Sequence, residues 1–180
     1  TQLDGRTTVA FSAPIVSGTH TITAECVNPV CAGPASGDIN VKVPGLEQIP
    51  YSTLYVFVGG EAGKAHTDNH YLTPAASGKL QQLADAYHSL FPFSPVLRVN
   101  DASLVWGGVL DFKGTWTYPH RQHRRGMVID VRANQLLDAI TNSNYFVFQR
   151  TIKKLGGGFI LEDQGTSNEH YHILLLGTKG

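Results

Sequence analysis

The sequence predicts an α+β domain with a mainly antiparallel sheet and flanking helices, preceded by a small all-β segment. Three observations carry this. Residues 1–45 hold three short alternating or β-branched runs separated by Gly, Pro, Ser and Asn. Residues 53–180 hold two helical patterns, but the strands around them are joined by turns rather than set out as regular βαβ units. Between the two parts, Pro44-Gly45-Leu46-Glu47-Gln48-Ile49-Pro50 has the Pro and Gly punctuation of a linker.

A chain of 180 residues can bury a real core without a disulfide scaffold. Its formal net charge is zero, so no electrostatic footprint points to nucleic acid or to an anionic membrane surface. No apolar run approaches the roughly 18 to 20 residues that span a bilayer. No basic-then-apolar signal pattern opens the chain, so any export signal is expected to lie outside these residues. Cys26 and Cys31 are the two cysteines, set in a turn-rich β segment without the second ligand pair of a zinc ribbon. A small-loop disulfide is the expectation, and with it an oxidising compartment: secreted, periplasmic or cell-surface.

Taken in order, the first strands are Thr7–Phe11, Thr19–Ala24 and Asp38–Val43. They resemble the last strands of a bacterial immunoglobulin-like module, of which a full sandwich has about seven. The segment is then either a partial Ig-like remnant, which we prefer, or a ribbon packed on the second domain. His20 falls on its surface. Tyr55–Gly60 reads as a short buried strand and His66–Tyr71 as a polar loop. Thr73-Pro74 opens a helix in which Leu80, Leu83, Ala84, Tyr87 and Leu90 recur at helical spacing, and Pro92 closes it. Val96–Asn100 is a strand, and Trp116 and Tyr118 lie in a loop that either walls a cleft or packs locally. Asn144–Leu155 is amphipathic and stops at Gly156-Gly157-Gly158. Phe159–Leu161 and Tyr171–Leu176 read as neighbouring antiparallel strands.

The chemistry concentrates in His120-Arg121-Gln122-His123-Arg124-Arg125-Gly126-Met127-Val128-Ile129-Asp130. A short basic turn closes on Gly126, and the apolar run after it starts a buried strand that ends on a carboxylate. His123 and Asp130 brought together suit a divalent transition metal, zinc first, but a catalytic zinc takes a third protein ligand and keeps a position for water. The chain supplies that ligand in Glu169-His170-Tyr171-His172. Eight histidines are present, so spacing has to select among them. In an extended segment His170 and His172 project to one face.

His123-x-x-Gly126-x-x-x-Asp130 with a downstream Glu169-x-Tyr171-His172 resembles the LAS-type zinc peptidases. That group comprises lysostaphin-like enzymes, D-alanyl-D-alanine carboxypeptidases and dipeptidases, and hedgehog signalling domains. The resemblance covers roughly residues 53–180. Two versions of the last motif occur in it: Glu-x-Trp-His in the carboxypeptidases and dipeptidases, and His-x-His in the penicillin-insensitive murein endopeptidases. This chain fits both, with Tyr171 in place of Trp. The resemblance implies a hedgehog/D-Ala-D-Ala peptidase-like fold with Asp130 and His172 on adjacent central strands and His123 on the loop leading in. It implies one Zn2+ held by His123, Asp130 and His172, and a peptidase acting on peptidoglycan or D-amino-acid-containing peptides by metal-activated water.

The base is expected to be Glu169, with His170 steadying the transition state; if the segment is already extended before Tyr171, the base passes to His170. Arg98 is the candidate for the upstream Arg that stabilises the transition state in carboxypeptidase relatives, although their Ser-Gly-x-Arg-Ser pattern is absent. Arg124, Arg125 and Arg132 are candidate carboxylate or oxyanion partners with plain surface charge as the alternative, which we prefer for Arg125, and His120 is expected in the outer shell. The alternative reading is a non-catalytic envelope or adhesion module that keeps the metal site for stability or for a partner. Endopeptidase and carboxypeptidase action, and the oligomeric state, stay open.

Overall fold

The computed structural model describes residues 7–25, 33–59, 68–109, 120–133 and 144–176. The aromatic loop around Trp116, and Cys26 and Cys31 with their expected disulfide, lie outside the described residues. The fold is mixed α+β. Its centre is a five-stranded sheet in the order β4 (Tyr55–Phe57), β6 (Leu97–Val99), β7 (Val128–Arg132), β9 (His170–Leu174), β8 (Gly158–Glu162). The β4–β6 pairing is parallel and the other three are antiparallel.

Two helices cover one face of this sheet, for reasons legible in their ends. Helix α1 (Pro74–Leu90) starts at Thr73, whose hydroxyl accepts from the Ala76 N–H, with Pro74 in the first turn where its missing N–H costs nothing. Its stripe Ala76, Leu80, Leu83, Ala84 and Tyr87 is buried. Leu90, expected on that stripe, is 52% exposed because the helix ends there and the chain turns off towards Pro92. Helix α2 (Tyr145–Lys154) buries Phe148 and Ile152 and carries Lys153 and Lys154 in its last turn, where they suit the macrodipole. It ends in a Schellman motif: Gly156 N–H donates to the Lys153 carbonyl and Gly157 N–H to that of Ile152, with Gly156 at φ +82°.

The core lies between the helices and the face of the sheet carrying Leu97, Val99, Ile129, Val131, Tyr171 and Ile173. Tyr171 anchors it, with its ring 5.3 Å from Phe148 and 5.8 Å from Phe159, both edge-on. Successive strand residues alternate between faces, so the residues between these point the other way. That second face carries the polar groups.

The N-terminal segment is a two-stranded antiparallel ribbon, β1 (Gly18–Ala24) and β2 (Ala35–Val41). The third expected strand, Thr7–Phe11, pairs with no strand among the described residues, and Val9 is 81% exposed. The ribbon is mostly exposed, but its roots are tied down. Val43 N–H donates to the Trp106 carbonyl, Val109 N–H to that of Ile15, and the Ser17 hydroxyl to that of Gly107. The stretch read as a linker also holds structure. It contributes β3 (Glu47–Gln48), paired with β5 (Tyr71–Leu72), and it buries Ile49 in the core.

Candidate metal centre

Strand register builds the site. Across β7 and β9, Asp130 pairs with His172 and Arg132 with His170; across β9 and β8, His172 pairs with Ile160 and His170 with Glu162. All of these lie on the face opposite the core, because Ile129, Val131, Tyr171 and Ile173 take the other. His123 reaches the same place from a 3-10 helix, His120–Arg125, that leads into β7. Gly126 makes the turn between them at φ +65°, its N–H on the His123 carbonyl and its own carbonyl accepting from Thr73 N–H.

His123, Asp130 and His172 are all buried, and one ligand atom from each lies within 4.8 Å of the others. His123 Nε2 is 3.3 Å from Asp130 Oδ2, and His172 Nδ1 is 2.9 Å from Asp130 Oδ1. Ligand atoms about 2.0–2.1 Å from one tetrahedral zinc stand about 3.3 Å apart, so the donor set is of the right kind and nearly at the right spacing. These three residues could hold a metal ion. Burial alone would raise the Asp130 carboxyl, but His123 and His172 outweigh it and hold the group well below the usual carboxylate range. For His123 burial works against the charged ring, and Asp130 overcomes it, so its pKa stands above the ordinary histidine value. The pocket is built for shared positive charge.

A β-bulge supports the carboxylate from behind. Asn100 N–H donates to the Asp130 carbonyl and Asp130 N–H to that of Asp101, so two residues of the incoming chain oppose one ligand. The bulge turns Asp101 inward, 5% exposed, where the side-chain amides of Asn69 and Asn100 both donate to it. Asp101 also lends its charge to His123 and His70. His70 nonetheless sits below its ordinary pKa, since burial dominates there.

His170 borders the ligands. Its Nδ1 donates to the Asn168 carbonyl at 2.7 Å, so Nε2 is the nitrogen turned to the site. That atom is 3.2 Å from Glu162 Oε2 and 3.8 Å from Asp130 Oδ2. Glu169 goes elsewhere. It precedes β9, its carbonyl accepting from Ala133 N–H at 3.0 Å and its N–H donating to the Thr166 carbonyl at 3.2 Å. Its carboxylate accepts from Gly165 N–H at 2.7 Å, across the turn at Asp163–Thr166, and bears on the Tyr171 hydroxyl. The turn anticipated before Tyr171 thus exists, and the carboxylate of Glu169 is taken by Gly165 N–H.

Arg98 alternates with buried Leu97 and Val99, and Val99 pairs with Val131, so Arg98 falls on the face of Asp130, one strand away. Its Nε is buried without a hydrogen-bond partner among the described residues. Arg132 lies on the same face, whereas Arg125 is exposed. His120 belongs to the 3-10 helix, and its side chain lies outside the described residues. Reasoning from sequence missed Glu162 and Gln122. Glu162 becomes visible only through the β8–β9 register, and Gln122 accepts from His172 Nε2 at 2.8 Å although it stands in the basic turn unremarked.

No family model and no curated protein matches this chain. The resemblance to the LAS-type peptidases therefore rests on the two sequence motifs.

Proposed function

We propose that the protein is a zinc-dependent peptidase of the LAS type that hydrolyses an amide bond in peptidoglycan-type or D-amino-acid-containing peptides. One observation carries the reading: a buried His-Asp-His group with a further histidine on the same sheet face, its Nε2 3.8 Å from the Asp130 carboxylate. Zinc in this set would supply a Lewis acid for the amide carbonyl and lower the pKa of a water it binds. A structural zinc site would normally close with a fourth ligand, usually cysteine, and neither cysteine of this chain lies in the two motifs.

His170 is the base in this reading. Its Nδ1–H is committed to Asn168, so Nε2 is the atom that takes a proton from the attacking water and returns it to the leaving amine. Glu162 at 3.2 Å stabilises the imidazolium formed in between. Arg98 and Arg132 give the same face a cationic side suited to a developing oxyanion or a substrate carboxylate. The test is digestion of peptidoglycan by the zinc-loaded protein, with products identified by mass. His170→Ala should cut turnover by at least about 10² with zinc retained, while Glu169→Gln stays within a few-fold of wild type. The reverse pattern hands the base to Glu169. A zinc-loaded protein that cleaves neither peptidoglycan nor D-amino-acid peptides would instead be the non-catalytic envelope module.

A further inference from the structure

We infer that Gln122 is the positioning residue that sets the tautomer of His172 and thereby makes Nδ1 its ligand atom. Both ring nitrogens of His172 are engaged: Nε2 lies 2.8 Å from Gln122 Oε1, and Nδ1 lies 2.9 Å from Asp130 Oδ1. An amide oxygen carries no hydrogen, so the proton of that contact is on Nε2. The nitrogen left to give a lone pair to a metal is then Nδ1, which faces the Asp130 carboxylate oxygen that would share that metal. The Gln122 contact therefore aims the histidine as a ligand rather than as a donor to Asp130.

The arrangement has a local cause. Gln122 and His123 are consecutive in a 3-10 helix, so their side chains leave it about a third of a turn apart. His123 delivers a ligand atom to Asp130 from one side, and Gln122 reaches round to the outer nitrogen of His172. A six-residue basic turn thus holds both histidines of the centre. Partners of this kind, hydrogen-bonded to the far nitrogen of a ligating histidine, orient the ring and raise its basicity.

The inference rests on the metal reading above and is independent of peptidase activity. The test is competition for Zn2+ between the full chain and a chromophoric chelator, with Co2+ absorption as a second readout. Gln122→Leu keeps the bulk and removes the acceptor; it should weaken zinc binding by about 10- to 100-fold and change the Co2+ ligand-field bands. Gln122→Glu restores an acceptor with more charge and should bind zinc at least as tightly as wild type. Gln122 is exposed, so neither change should disturb folding. Equal affinity of wild type and Gln122→Leu, or equal losses in Gln122→Leu and Gln122→Glu, would overturn this inference alone. Wild-type protein that takes up no zinc would overturn the metal reading and this inference with it.

Discussion

Gly126→Ala should be far more damaging than Gly156→Ala, although both glycines have positive φ and both end a helical turn. A side chain in the left-handed region costs about 1–2 kcal/mol, and this applies to each. The surroundings separate them. Around Gly156 an added Cβ would meet nothing within 4 Å, so the cost stays at about 1–2 kcal/mol. At Gly126 the same atom would overlap the tip of Leu46 and sit 3.1 Å from Thr73 N and 3.3 Å from the Leu72 carbonyl carbon. The Leu46 methyl can rotate away, but the backbone of β5 cannot, because Thr73 N–H is bonded to the Gly126 carbonyl. Overpacking of this sort adds about 1–3 kcal/mol, for a total of about 2–5 kcal/mol. Urea unfolding of metal-free protein at unchanged m-value measures both variants. Since Gly126 joins the turn bearing His123 to the strand bearing Asp130, Gly126→Ala should also weaken zinc binding while Gly156→Ala leaves it intact. Equal losses of stability, or intact zinc affinity in a folded Gly126→Ala protein, would refute this account of how the turn aims the ligands.

Other consequences are equally open to measurement. Phe148→Ala removes a ring that contacts both Tyr87 and Tyr171 and should cost about 3–5 kcal/mol in urea unfolding, with zinc stoichiometry unchanged in the folded fraction. In metal-free protein the raised pKa of His123 means that its charged form stabilises the fold below the ordinary histidine range, and that this contribution is lost as pH rises through the raised value. The depressed pKa of Asp130 has the opposite sense: its contribution is present above the ordinary carboxylate range and is lost as pH falls through the depressed value. Zinc must displace the proton from His123, so binding should release about one proton where that ring is charged, and affinity should fall as pH drops; calorimetry in buffers of different ionisation enthalpy reads the count.

What could be read in the sequence followed the strength of the local signal. Helix α1 was legible because Thr73-Pro74, a repeating apolar stripe and Pro92 all agree. The strands bearing Asp130 and His172 were legible because their apolar runs are long and lie beside the motifs. Thr7–Phe11 has the same alternation but pairs with no strand among the described residues, and pairing is a tertiary fact. The same limit applies at the site. His123, Asp130 and His172 are marked by spacing, whereas Glu162 reaches His170 through the cross-strand register and Asp101 reaches His123 through a bulge. Glu169 and His170 are adjacent in the chain, and their sequence alone does not say which of them follows the strand: Glu169 N–H closes a turn onto Thr166, whereas His170 opens β9.

The central claim is a metal centre made by His123, Asp130 and His172, and zinc content of the purified full chain after loading and desalting tests it most directly. The account predicts about one zinc per chain in the wild type, and substoichiometric zinc in each of His123→Ala, Asp130→Ala and His172→Ala. A wild-type chain without zinc, or full retention in both His123→Ala and Asp130→Ala, would contradict it.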